Sequence, residues 1–106
     1  MDSLYKLKYR ATAIRELAEI TDYIRTALKN PLAADRLARD FIDAGNRLLA
    51  FPYANPVHAA SKPLKHEYRK CGVRGYILFY WVDEQRKYVI ISHVVYARRN
   101  YDSILR

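Results

Sequence analysis

Two apolar runs near the C-terminal end constrain the fold most. Residues 76–82 read YILFYWV and residues 88–96 read YVIISHVVY, with the polar DEQRK at 83–87 between them. The first is apolar on both faces, which predicts a central strand. The second predicts another strand, interrupted by Ser92 and His93, and the polar link predicts a hairpin. Just upstream, residues 65–71 alternate, with Glu67, Arg69 and Cys71 on one face and His66, Tyr68 and Lys70 on the other. This predicts a third, shorter strand. Residues 72–75, Gly-Val-Arg-Gly, supply its reversal, with two glycines for positive φ. Residues 98–102 leave the last strand, and residues 103–106 predict a terminal helical turn. Polar side chains of this stretch are expected to form one basic, aromatic surface with two borders: Arg69, Lys70 and Arg74, and then Arg98, Arg99 and Tyr101.

The first half has a different period. Residues 5–10 alternate Tyr5, Leu7 and Tyr9 with Lys6, Lys8 and Arg10. Such a pattern predicts a strand buried on one side, at an edge where lysines discourage further pairing. Thr12 is then expected to cap a helix over residues 13–28, whose apolar stripe is Ile14, Leu17, Ala18, Ile20, Ile24, Ala27 and Leu28. Asn30 and Pro31 stop this helix and start the next, with asparagine as cap and proline in the first turn. The second helix runs to about Ala50 with a stripe of Ala34, Leu37, Ala38, Phe41, Ile42, Leu48 and Leu49. Gly45 inside it points to a close approach. So short a junction predicts an antiparallel helical hairpin, its charged residues forming a solvated outer face. Residues 51–63, with three prolines, predict a loop. His58 and His66 read as surface histidines.

The expected fold is therefore α+β in the order β-α-α-β-β-β, a helical hairpin packed on a small, mostly antiparallel sheet. At 106 residues the chain is expected to be a single domain over 1–106. No run reaches the roughly 20 apolar residues of a membrane helix, and the first ten residues lack a signal-peptide core. A lone cysteine, Cys71, excludes an internal disulfide. These features predict a cytoplasmic protein.

Charge carries the first functional information. The net charge is +8, from 19 Lys/Arg and 11 Asp/Glu. Residues 1–57 hold nine basic and seven acidic residues, and residues 58–106 hold ten and four, so +6 of the +8 lies in the second half. Charge alone leaves a nucleic acid and an acidic protein equally open as partners.

Motif chemistry excludes more than it selects. Glycine-rich phosphate loops, a nucleophile elbow and histidine pairs at metal spacing are all missing, so no cofactor and no metal are expected. Cys71 has basic neighbours in Arg69, Lys70 and Arg74 but no base placed by sequence, and reads as incidental. Four carboxylates in the last third give poor support to a paired-carboxylate hydrolase. Arginines can grip phosphate and tyrosines can stack on bases, and such a set could also cleave RNA without a metal.

Several segments in order are similar to one family. These are YKLKYRATA at 5–13, ITDYI at 20–24, Lys-Asn-Pro-Leu-Ala-Ala at 29–34, Phe51-Pro52, EYRKCGVRGYILFYWVDE at 67–84 and VVYARRNYDSIL at 94–105. Together they resemble the RelE/ParE superfamily of bacterial type II toxin–antitoxin toxins, which includes plasmid stabilisation proteins. The resemblance implies a toxin neutralised by an acidic cognate antitoxin in a hetero-oligomeric complex. It implies one of two targets, since RelE-type members cut mRNA on the ribosome without a metal and ParE-type members poison DNA gyrase. Ribosome-dependent mRNA cleavage is the leading expectation, with gyrase inhibition and an inactive binding domain as alternatives. Carried over by residue, Arg98 matches the late-strand arginine used at the scissile phosphate. Lys70 falls near the basic strand residue, and Tyr101 is placed as a tyrosine acid. Arg69, Arg74, Arg99 and Tyr96 complete the expected nucleic-acid surface. Two departures stand out: Gly75-Tyr76 is followed by Ile77 rather than arginine, and the C-terminal histidine of other nuclease members is missing.

Overall fold

The computed structural model describes residues 4–60, 62–98 and 102–105. In chain order its elements are strand β1 (Lys6–Tyr9), helix α1 (Ala11–Asp22) with a wider π-type turn (Tyr23–Ala27), and helix α2 (Pro31–Ala50). Strands β2 (Arg69–Val73), β3 (Tyr76–Asp83) and β4 (Tyr88–Tyr96) follow, and then the single helical turn α3 (Asp102–Leu105). The sheet order is β1-β4-β3-β2. β1 runs parallel to β4, and the other two pairings are antiparallel. This is the α+β architecture read from the sequence.

The outer edge of β4 is closed in two ways. Lys6 to Tyr9 pair with Tyr88 to Ile91, and the Arg10 N–H donates to the Ile91 carbonyl at 2.9 Å. β1 ends there but β4 continues. Thr12 Oγ1 then donates to the Ser92 carbonyl at 2.9 Å, and Glu16 Oε1 accepts from the Val94 N–H at 3.0 Å. Helix α1 thus takes over the edge that β1 leaves, so backbone groups of a mostly buried strand are paired. Thr12 is not the cap expected of it; Arg10 occupies that position without a side-chain bond, and the threonine hydroxyl serves β4. Between Phe79↔His93 and Tyr80↔Ile91 the register shifts, leaving Ser92 as an unopposed, buried bulge residue.

Two apolar layers sandwich the sheet. The helices cover one face, with Ala13, Leu37, Phe41, Ala44 and Leu48 against Leu78, Tyr80, Val89, Ile91 and Val94. On the other, Tyr68, Phe79, Val95 and Leu105 form a second cluster with Ile77, Trp81 and Ile104. The second face of the sheet is therefore apolar, and the basic residues lie at its rims. His58 and His66 are not free surface groups. His58 packs edge-on to Phe79 at 5.5 Å, and His66 stacks on Trp81 at 3.7 Å between centroids. Burial pushes the Cys71 thiol up, which outweighs the lowering by Arg47.

The helical hairpin forms at the expected junction. Asn30 Oδ1 accepts from the Ala33 N–H at 3.1 Å, and Pro31 opens α2. The buried stripe of α1 is shifted, however. Ala13 is fully buried and Leu17, Ile20 and Ile24 pack on the core, whereas Ile14 and Leu28 are each 57% exposed. Ile14 and Ala18 instead line an apolar groove of about 320 Å³ with Ala38 and Ile42 of α2. Gly45 meets β1 as the helix crosses it: a Cβ there would lie 2.8 Å from Tyr9 Oη and 3.1 Å from Leu7 Cδ2.

The loop after α2 is tied down by polar contacts. The buried Tyr80 hydroxyl donates to the Pro52 carbonyl at 2.8 Å and accepts from Asn55 Nδ2 at 3.3 Å. Glu84, in the β3–β4 turn, accepts from Lys87 Nζ, from the Tyr53 hydroxyl, and from the Tyr5 hydroxyl at 2.9 Å. It joins the N-terminal strand, the loop and the hairpin. Those bonds, led by Lys87 and then Tyr53, lower the Glu84 carboxyl to about 2. The same carboxylate raises Tyr53 to about 12.

Two outcomes are expected. Gly45→Ala should destabilise the fold by about 1–3 kcal/mol in denaturant melts, although alanine is otherwise the better helix former by about 1 kcal/mol. The loss should shrink in a Tyr9→Phe background, which removes the nearest atom. The Glu84 clamp should also define a pH window. A lowered carboxyl contributes above its unfolded pKa of about 4.3 and is lost as pH falls toward 2. A raised phenol contributes below about 10 and is lost as pH rises through about 12. The melting-temperature gap between the native chain and Glu84→Gln should therefore hold between pH 5 and 9 and narrow below about pH 4. A gap independent of pH contradicts this account.

Candidate functional site

Val73 pairs with Tyr76, leaving Arg74 and Gly75 as a two-residue turn with φ of 47° and 83°. Positive φ at both positions suits the right-handed twist of a hairpin. Glycine adopts it freely. Arginine at that angle costs energy, so the turn carries a cation at some expense in strain. The expected four-residue reversal is therefore shorter, with Gly72 inside β2.

Next to this turn the chain leaves the sheet. Tyr76 pairs with Tyr96, and the Ala97 N–H donates to the Gly75 carbonyl at 2.9 Å. That bond sets Arg98, which is exposed, beside the Arg74-Gly75 turn. The Tyr76 ring lies 5.7 Å from that of Tyr96 and 6.0 Å from that of Phe41. From the helical side come Tyr23, on the π-type turn, and Arg36, on α2. Burial raises the Tyr76 phenol, and the nearby Tyr96 and Tyr23 hydroxyls raise it further. Arg36, Arg74 and Tyr76 line a cavity of about 340 Å³ floored by Ile24, Ala33 and Leu37. Arg74 Nε donates to an Asp40 carboxylate oxygen, yet its side chain is 64% exposed.

The sequence-predicted residues divide. Arg74, Tyr96 and Arg98 meet at this end of the sheet. Arg69 does not join them. It donates to the Asn55 carbonyl at 2.8 Å and the Tyr53 carbonyl at 3.3 Å, lies near Glu67 at 3.4 Å, and sits 5.0 Å over the Tyr53 ring. It holds the loop. Lys70 is half-buried opposite Phe79, its N–H donating to the Pro56 carbonyl. Phe79 is three residues along β3 from Tyr76, about 10 Å at strand spacing, and on the opposite face. Arg99 and Tyr101 fall outside the described residues. Ile77 lies in the second apolar cluster with Val95 and Ile104.

The arrangement offers cations and neutral phenols, which suits binding of an anion with a flat group beside it. Among the described residues no group of three or more His, Cys, Asp or Glu could hold a metal ion. Sequence reasoning missed Tyr23, Arg36, Asp40 and Tyr76. The charged pair fell on the outer helix face by periodicity, and Tyr76 read as a core strand residue. One available signal was Tyr23, a large aromatic off the apolar stripe.

Comparison with known proteins supports the fold and assigns the family. The profile of the family described as ParE toxin of type II toxin-antitoxin system, parDE, matches residues 7–101. Curated proteins gave no match. Among solved structures, a chromosomal ParDE toxin–antitoxin system from P. aeruginosa is similar at 16% identity and TM-score 0.72, over 90% of this chain and 98% of that one. The archaeal RelE–RelB complex from Pyrococcus horikoshii is 16% identical with TM-score 0.63, covering 92% and 99%. For the intact E. coli RelBE complex the values are 23%, 0.53, 90% and 99%. At such identities the likeness is one of fold. The family match spans nearly the whole described chain, from β1 to the exit of β4, and the chain therefore belongs to the ParE toxin family of type II toxin–antitoxin systems.

Proposed function

We propose that this toxin acts as a ParE-type inhibitor of DNA gyrase in the bacterial cytoplasm, and that a cognate acidic antitoxin neutralises it. The observation that carries this reading is the separation, among the described residues, of those a nuclease would need. Cleaving RNA without a metal takes a cation at the phosphate and an acid and a base within hydrogen-bond reach of the reacting atoms. Here Arg98 follows the exposed end of β4, Lys70 lies on β2 opposite Phe79, about 10 Å along the strands from Tyr76 and on the other face, and Arg69 holds the loop. Ile77 occupies an apolar cluster. The family match supports the same choice. Exposed Arg98 favours the second reading, mRNA cleavage on the ribosome.

Two features fit the antitoxin. The chain carries a net charge of +8, and the apolar groove between α1 and α2 leaves Ile14 and Ile42 more than half exposed. An amphipathic segment with acidic flanks would bury its apolar residues there.

Purified toxin added to gyrase and supercoiled plasmid should accumulate cleaved DNA, while mRNA in a translating extract stays intact. Arg98→Ala should leave growth arrest within about tenfold of the native chain. Cleaved transcripts that vanish with Arg98→Ala decide for the mRNA reading instead. Ile42→Glu lies on the surface and should melt within a few degrees of the native chain. It should weaken antitoxin binding by about 2–3 kcal/mol, read by calorimetry.

A further inference from the structure

We infer that the cavity between the start of α2 and the β2–β3 turn is a nucleotide site, taking a phosphate ester that carries a flat aromatic base. This goes beyond inhibition of gyrase and holds whichever target the toxin has.

The argument begins with charge. Arg36 and Arg74 line the same cavity of about 340 Å³, within the range of small-ligand sites. Arg36 has no hydrogen bond or ion pair to any described residue. Arg74 pairs with Asp40 on an exposed surface, where an ion pair contributes little and is readily exchanged. A phosphate presents the oxygens that a guanidinium fork grips in pairs. The second element is aromatic. Tyr76 forms one wall, and Tyr23 and Tyr96 beside it are 59% and 50% exposed. A base can stack on such a face, whatever its identity. Tyr76 is raised by burial and its tyrosine neighbours, so it stays a neutral hydrogen-bond donor and does not repel an anion. The third element is the turn: position 74 has a φ of 47°, as Lys29 and Lys87 have positive φ at other turns, so it holds Arg74 at the cavity and accepts glycine in its place. An acidic peptide would account for the arginines but leave three converging phenols unused.

The test uses the whole purified chain and a fluorescein-labelled octathymidylate followed by anisotropy, with unlabelled dTMP and octaglutamate as competitors. Octathymidylate should bind. Arg74→Gly suits the turn geometry, so it should melt within a few degrees of the native chain yet bind about tenfold more weakly or worse. Tyr96→Ala should lose about fivefold or more. Asp40→Asn removes the negative charge that competes for Arg74 and should tighten binding about threefold, an effect that unfolding cannot mimic. Lys6→Ala removes one charge from the far edge strand and should change binding less than about twofold. Competition by dTMP assigns the site to a free nucleotide as well as a strand end; competition by the oligonucleotide alone assigns it to a strand. Three results overturn the proposal: no binding of octathymidylate, native-like binding by Arg74→Gly, or octaglutamate competing as well as the oligonucleotide. Gyrase is not in the assay, so its outcome is separate from that of the gyrase reading.

Discussion

The fold depends on how strand β4 finds partners on both edges along its whole length. Its inner edge pairs with β3 from Tyr88 to Tyr96, across the Ser92 bulge. Its outer edge is longer than the strand that covers it. β1 supplies four residues and stops at Tyr9. Buried backbone groups beyond that point would be costly if unpaired. Thr12 and Glu16 meet that need from the first turns of α1, which fixes the helix along β4. Once α1 is placed, the short Leu28–Asn30 connection places α2, and glycine at position 45 lets α2 cross β1 closely against Tyr9 and Leu7. The edge of β4 thus sets the helical hairpin, and the hairpin sets the helix-covered core.

With both faces of β3 and β4 covered, function is pushed to the rim. The loop end of the sheet is stitched by Tyr80, Arg69 and the Glu84 cluster to the segment after α2. Those polar groups are occupied in holding structure. At the opposite end Arg36, Arg74 and Tyr76 line one cavity, with Tyr96 packed on Tyr76, Tyr23 near it, and exposed Arg98 just past the end of β4. The molecule therefore has a tied end and an open end, and basic side chains differ in role according to which they occupy.

Much of the fold was legible in the sequence because period and punctuation are local signals. The alternation of Tyr5, Leu7 and Tyr9, the Asn30-Pro31 junction and the Asp83–Lys87 link all fell within a residue of where the structure has them. The errors came from non-local causes. Thr12 looked like a cap because nothing nearby reveals that β4 needs a donor 80 residues away. Ile14 looked buried because periodicity cannot tell a core from a groove between helices. The site was only half legible for the same reason. Arg74, Tyr96 and Arg98 stand in one stretch of sequence, but Arg36 and Tyr23 reach them only through the packing of the hairpin.

Position 77 shows how one residue ties the sheet to the terminal turn. Ile77 sits in the cluster that receives Ile104 and Leu105 from α3. Ile77 is half-buried, so an arginine there would give up its apolar contact with that cluster and turn its guanidinium away toward solvent. In this chain the apolar choice at 77 and the apolar residues of α3 agree with each other. That agreement is set by packing rather than by the basic residues, and it leaves Arg74 and Arg98 exposed at the rim of the sheet, apart from the apolar cluster.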